Sequence, residues 1–361
     1  MGQKAPHYNP LELLPPDKSN YETIRVFKQL TSAHRVLGEL KGIANTIPNQ
    51  TMLVNAIVLR EAKDSSEIEN IITTQDELYQ ALSLESVSNP QTKEVINYRA
   101  AIFKGFGVVK DQGFLRLKDI IELQKTIIDN NAGIRSTPGT VLKNDKTGEV
   151  VYTPPQDKAD ILDLLSNFLE HFNLNENRID PLVNLAILHY QFESIHPFYD
   201  GNGRTGRILN ILYLILNNLI EIPILYLSSY IIEHKADYYR LLNAVNHKGE
   251  WEEWIVFMLK AIESTAINTI KRIALIKQEL EAAINLTSEK APKVYKKELL
   301  ELLFEQPYAK IEFVIDRLKV ERKAASRYLH KLEEIGLLES RKIGRSNIFI
   351  NTRLIEILKK Y

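Results

Sequence analysis

The sequence predicts a mostly α-helical protein, with one β-hairpin near its middle and, at its end, three short helices and a two-stranded wing. Three observations lead there. Apolar residues recur at helical steps through most of the chain up to residue 289. One segment, 139–155, interrupts that pattern with two short β-prone runs around a polar, glycine-bearing turn. From Val294 the helical segments shorten and give way to a second pair of β-prone runs.

Taken in order, a proline-bearing leader, Tyr8-Asn9-Pro10-Leu11 to Pro15-Pro16, precedes helical patterns at Tyr21 to Ile43, Thr51 to Leu59, Asp76 to Leu84, Val95 to Val109 and Leu117 to Ile128. The hairpin follows, with Val141-Leu142 and Val150-Val151-Tyr152 flanking the turn Asn144 to Glu149. Pro181 to Ile195 sets Leu182, Leu185, Ala186, Leu188 and Phe192 on helical spacing, and Ile208 to Asn217 is again apolar and helical. Past Val294, Lys296 to Phe304, Ile311 to Leu318 and Arg322 to Ile335 read as helices, with Gly336 as a stop. Strands Leu337 to Ile343 and Asn347 to Ile350 surround Gly344-Arg345. Three helices and such a wing describe a winged helix.

Composition sets outer limits. A chain of 361 residues with 44% apolar content supports two or three domains. We divide it into an N-terminal helical region (1–110), a core (111–289) and the winged-helix domain (290–361). The totals of 46 basic and 46 acidic residues cancel, yet the last 72 residues hold 17 Lys and Arg against 10 Asp and Glu. A basic tail thus follows an acidic body. Cysteine is absent, which excludes disulfides, thiolate zinc sites and cysteine nucleophiles. The most apolar run, Ile208 to Ser228, is broken by Asn210, Asn217, Asn218, Glu221 and Pro223, so no membrane span is expected. Without a signal-like leader, a cytoplasmic protein is the expectation.

The chemistry concentrates in His196-Pro197-Phe198-Tyr199-Asp200-Gly201-Asn202-Gly203-Arg204-Thr205-Gly206-Arg207, a loop that opens a helix. A helix start presents unpaired N–H groups and partial positive charge, and glycines let the backbone approach a ligand closely. This is an anion seat suited to phosphate. Arg204 and Arg207, at i and i+3, can reach one phosphate chain. Asp200 can hold a hard cation such as Mg²⁺, and His196 is a candidate base for an incoming hydroxyl. Gly201, Gly203 and Gly206 also spell Gly-x-Gly-x-x-Gly, but no strand precedes them and no acidic residue closes a second strand, so a dinucleotide fold is set aside. His189 has no metal-ligand partners at workable spacing and reads as a packed helix residue.

The segment resembles the signature of the Fic family, His-Pro-Phe-x-(Asp/Glu)-Gly-Asn-Gly-Arg-x-x-Arg, at every fixed position. The resemblance implies a Fic-type helical core and a protein adenylyltransferase, a nucleotidyltransferase that moves AMP from ATP to a hydroxyl of a target protein or of itself. It implies His196 as catalytic base, Asp200 as the Mg²⁺ ligand, and Gly201, Asn202, Gly203, Arg204, Thr205, Gly206 and Arg207 as nucleotide-binding residues. It also implies that the 139–155 flap holds the target by strand pairing. Tyr238 to Asn246 resembles the family stretch lining the base and ribose pocket, with Tyr239 and Asn246 as contacts.

Ser65-Ser66-Glu67-Ile68-Glu69-Asn70 matches (Ser/Thr)-x-x-x-Glu-(Gly/Asn), the inhibitory-helix motif of autoinhibited Fic proteins. With Ser65, Glu69 and Asn70 as its fixed positions, a helix over about 60–72 would pair Glu69 with Arg207 and deny that site to the γ-phosphate. The alternatives are a nucleotide-sensing DNA-binding regulator, and a Fic enzyme that removes AMP or transfers another phosphate-linked group. Lys319, Arg322, Lys323 and Arg327 at the third tail helix, with Arg341, Lys342 and Arg345 in the wing, would meet DNA phosphates or a protein partner. The sequence leaves open whether the chain forms a homo-oligomer.

Overall fold

The computed structural model describes residues 11–47, 49–84, 89–143, 148–174, 179–343 and 346–360. Tyr8, Asn9 and Pro10 of the leader, Asn144 to Thr147 of the hairpin turn, and Gly344 and Arg345 of the wing lie outside the described residues.

In chain order the elements are α1 (Ile24–Ala44), α2 (Gln50–Ile68), α3 (Gln75–Leu84), α4 (Pro90–Gln112), α5 (Leu117–Ile128), β1 (Leu142–Lys143) and β2 (Val150–Tyr152). Next come α6 (Lys158–Asn173), α7 (Pro181–Ile195), α8 (Asn202–Leu216), α9 (Ser228–Glu233), α10 (Lys235–Lys248) and α11 (Trp251–Lys290). The tail adds α12 (Lys297–Glu305), β3 (Tyr308–Ala309), α13 (Ile311–Leu318), α14 (Arg322–Glu334), β4 (Glu339–Ile343), β5 (Ser346–Ile350) and α15 (Thr352–Lys360). The chain divides into two compact units. The first comprises Met1–Gly38, Asp64–Asn70 and Asn97–Thr265, and the second Glu39–Lys63, Ile71–Ile96 and Ala266–Tyr361.

In the first unit α7 is the hub. Asp180 caps it by accepting from the Leu182 N–H, Pro181 occupies the first turn where no amide is missed, and almost every residue to Ile195 is buried. A helix apolar on all sides must be packed on all sides. It lies against α6 and α8, with Phe168, Phe172, Phe192 and Tyr213 in one aromatic cluster. Trp254 of α11 is fully buried against it, and its indole N–H donates to the Ala186 carbonyl at 2.8 Å. His189 sits in this core, bonded to the Tyr238 hydroxyl (2.9 Å) and Asn210 (3.1 Å). Burial forces its imidazole neutral, with the pKa down at about 3. The β1–β2 hairpin pairs antiparallel, Leu142 opposite Tyr152.

The second unit contains the expected tail helices and wing. β4 and β5 form the antiparallel wing, Arg341 opposite Ile348, and β3 joins β5 on its other side to give the order β3-β5-β4. Tyr308 of β3 stacks on Tyr79 with ring centres 5.1 Å apart, and its carbonyl accepts from the Ser83 hydroxyl at 2.8 Å.

Beyond α6, α9, α10 and α11, which the sequence reading did not delimit, and an earlier start of α4, three differences matter here. The helix that carries Ser65 stops at Ile68 rather than near 72, because Asn70 takes a left-handed φ of 62° that ends it. β3 is two residues long, too short to leave a periodic trace. α15 follows the wing directly, burying Leu354, Ile355 and Leu358 on one face. Trp254→Ala should lower stability by about 3–5 kcal/mol through the cavity left behind. Urea denaturation measures this, and a loss below about 1 kcal/mol would contradict the packing described.

Candidate active site

The site is built on two left-handed residues that turn the chain from α7 into α8. His196 ends α7 with φ 49° and ψ 58°, its N–H still bonded to the Phe192 carbonyl at 3.1 Å. Gly201 opens α8 with φ 82°, where any Cβ would also meet the Ile128 side chain at 2.9 Å. Between them Asn202 locks the turn from both sides. Its Oδ1 accepts from the Phe198 N–H and its Nδ2 donates to the Phe198 carbonyl, each at 2.8 Å. The first amides of α8 have no side-chain cap, so a helix N-terminus faces the loop.

Arg204 and Arg207 are both almost fully buried. Arg204 reaches the Asp200 carboxylate at 3.3 Å. Arg207 is bound by the end of α2: its Nε donates to the Ser65 hydroxyl (2.7 Å), and its Nη2 to the Ser65 carbonyl (2.9 Å) and Glu69 Oε1 (2.8 Å). Burial raises the Glu69 pKa, but Arg207, aided by Arg204, wins and holds the carboxyl below its ordinary value. Gly203 permits this contact, since a Cβ there would collide with Glu69 Oε1 and press on Arg207. Asn70 closes the segment as its left-handed end. Thr205 is fully buried, and Gly206 packs against Glu193 and Phe192.

Around the 196–207 loop, burial comes first and neighbouring Arg135 second in lowering the His196 pKa to about 4. The imidazole is therefore neutral at physiological pH and able to accept a proton. Burial raises the Glu193 carboxyl beneath Gly206 to about 7. Tyr199 is exposed, and hydrogen bonds from Thr137 and Ser136 lower its phenol to about 7.

Asp200 is the one exposed carboxylate of the loop, its side chain 65% accessible, with Oδ1 accepting from the Gly201 N–H at 2.6 Å. No group of three or more His, Asp or Glu that could cage a metal exists among the described residues. A single exposed carboxylate beside an uncapped helix N-terminus nevertheless fits Mg²⁺, which binds through one or two carboxylates plus substrate phosphates. Asn246 lines a cavity of about 370 Å³ together with Tyr152, Tyr190, Trp251 and the leader residues Leu11 to Leu14. Its Oδ1 accepts from the Tyr190 hydroxyl at 2.6 Å, while its Nδ2 is buried with no hydrogen-bond partner among the described residues. Tyr239 is 44% exposed and packs edge-on against Tyr238, outside that lining.

Sequence reading missed Arg135, Glu193 and Lys235. The Lys235 ammonium donates to the Ile68 carbonyl at 2.7 Å, tying down the end of α2. Arg135 and Lys235 are single residues whose partners are remote in sequence, and Glu193 is a lone carboxyl on an apolar helix, so no spacing betrays them.

Three family models match successive stretches of the chain: Fic/DOC family N-terminal over 27–107, Fic/DOC family over 114–214, and the C-terminal domain of protein adenylyltransferase SoFic-like over 280–354. The chain belongs to the Fic/DOC family. Among curated relatives, the protein adenylyltransferase Fic of Aedes aegypti is 24% identical over 201 residues, covering 54% of this chain and 38% of that protein. Fic-1 of Caenorhabditis elegans is 27% identical over 164 residues, 43% of this chain and 29% of that protein. The chain thus spans less than half the length of these Fic relatives. The crystal structure of a Fic family protein from Desulfovibrio desulfuricans shares the fold over 95% of this chain and 98% of its own, with TM-score 0.58 and 17% identity. No helix among the described residues is long and apolar enough to cross a membrane.

The depressed His196 pKa predicts that its ring stays neutral as pH falls to about 4. Imidazole Cε1 shifts in NMR, assigned with His196→Ala, would follow it. A midpoint at or above 6 would remove the burial argument.

Proposed function

We propose that this Fic chain is a protein adenylyltransferase that moves AMP from ATP to a hydroxyl of a target protein, or of itself, and that Glu69 restrains it. One observation carries the reading: an intramolecular carboxylate occupies the guanidinium that the phosphate seat presents, Glu69 to Arg207 at 2.8 Å. A buried arginine beside a free helix N-terminus is an anion site, and here the chain supplies its own anion. The matched relatives named protein adenylyltransferase support the reaction class.

In the reaction the acceptor oxygen attacks the α-phosphorus and His196 takes the hydroxyl proton. The P–O bond to pyrophosphate breaks, and pyrophosphate leaves with the electron pair. The amides of Gly201, Asn202 and Gly203 cradle the phosphates, while Arg204 and Arg207 hold the charge that grows on the leaving group. Asp200 would hold Mg²⁺, which when bound neutralises phosphate charge. Tyr239 and Asn246 are assigned to the nucleoside, and the exposed edge of the β1–β2 hairpin to the target backbone. Glu69 on Arg207 excludes the γ-phosphate, so ATP binds only in a pose unfit for attack.

Glu69→Gly should therefore raise self-adenylylation. A charge-assisted pair of about 1.5–3 kcal/mol sets the gain at roughly 10- to 150-fold. Adding Arg207→Ala should erase the gain, and adding His196→Ala should abolish transfer while ATP still binds. Transfer of labelled AMP and calorimetric ATP binding measure both. A folded Glu69→Gly chain no faster than wild type would refute inhibition.

A second role is supported by charge. On α14 Arg322, Lys323 and Arg327 are exposed, as are Arg341 and Lys342 on the wing, although Arg322 also pairs with Glu312 at 2.7 Å. We propose that this face binds duplex DNA phosphates. Arg322→Ala with Lys323→Ala in the full chain should weaken duplex retention and reduce its salt slope by about 0.9 for each phosphate that is no longer neutralised. No retention by wild type at low salt would leave protein binding as the better account.

A further inference from the structure

Arg135 is fully buried in the first unit and is joined to the catalytic loop at several points. Its Nε donates to the carbonyl of His196 at 2.7 Å. Its Nη2 donates to the carbonyl of Ile195 at 3.3 Å and to that of Pro155. Its backbone N–H donates to the Pro197 carbonyl at 3.0 Å, and the preceding Ile134 forms an isolated bridge with Phe198. One step on, the Tyr199 hydroxyl accepts from the N–H groups of Ser136 (3.0 Å) and Thr137 (3.2 Å).

The arrangement joins two things that the chemistry must bring together. Residues 134–137 lead into β1, and Pro155 follows β2, so the contacts reach both roots of the hairpin. The other partner is the main chain of His196, in a left-handed conformation that is strained for a non-glycine residue and persists only where its surroundings fix it. A planar fork of fixed N–H donors can satisfy several carbonyls at once in a way a lysine ammonium cannot. We infer that Arg135 is a positioning residue that sets the acceptor-holding hairpin and the His196 base in one frame, so that a hydroxyl held on the hairpin meets the imidazole. This inference rests on the adenylyltransferase reading. Arg135, fully buried, acts through the two segments it ties.

The test uses the full chain with Glu69→Gly as the active background, and adds Arg135→Lys or Arg135→Met. Three quantities are measured: ATP affinity by calorimetry, transfer of labelled AMP to the chain itself, and amide hydrogen exchange over 139–155 and 196–199. The expected result is transfer reduced about 10- to 100-fold, as for misplaced reactants, with ATP affinity within about twofold, because the phosphate seat lies on α8. Exchange should rise in both segments together. Unchanged transfer in a variant that lacks the fork overturns the inference, as does exchange that rises in only one segment. If Arg135→Met does not fold, Arg135→Lys, which keeps the charge, decides: a folded protein with normal ATP affinity and full transfer rejects the role. Should the Glu69→Gly parent transfer no AMP while exchange still rises in both segments, the adenylyltransferase reading fails and the coupling of the segments stands.

Discussion

A guanidinium taken out of water must find anions or carbonyls, since leaving it unpaired costs several kcal/mol. Arg207 is buried on the first turns of α8, and the chain meets its demand from the end of α2 with the Ser65 hydroxyl, the Ser65 carbonyl and Glu69. That demand ties together segments far apart in sequence and explains why the end of α2 is fixed where it is. Lys235 holds the Ile68 carbonyl from α10, and Gly203 leaves room for the carboxylate. Arg135 repeats the arrangement with carbonyls alone on the other side of the same turn.

The two buried arginines have opposite consequences for a ligand. The carbonyls on Arg135 belong to the main chain and cannot be displaced without moving the loop that carries them. Glu69 is a side chain on a partly exposed segment end, and in the proposed reading a phosphate oxygen replaces it at Arg207. In the proposed reading, one cation serves the frame and the other the reaction.

Much of this is legible in the sequence. Periodicity predicts α5, α7 and α13 to the residue, because each is bounded by an abrupt polar or cap residue, such as Asp180 before Pro181. The loop from His196 to Arg207 is legible because its residues are contiguous. Glu69 pairs with Arg207 on paper only through the family resemblance, since nothing local links positions so far apart. Arg135 and Glu193 stay hidden for a related reason: a lone charged residue in a loop or helix looks solvated until its partners are known. The end of α2 falls short of the longer helical reading because Asn70 adopts a left-handed turn that periodicity does not register. β3 depends on pairing with β5 and has no pattern of its own.

The depth of the ion pair on Arg207 bears on how the site could respond to its surroundings. Mobile ions screen charges that face water, and they act weakly on pairs that the protein covers. With the arginine 3% exposed but the Glu69 side chain 34% exposed, a rise in ionic strength would weaken the pair only in part. Salt alone would therefore loosen the pair without releasing it. If Glu69 restrains the site as proposed, a signal that opens it would have to compete for the guanidinium directly or displace the backbone of residues 65 to 70, and the second route is mechanical rather than electrostatic.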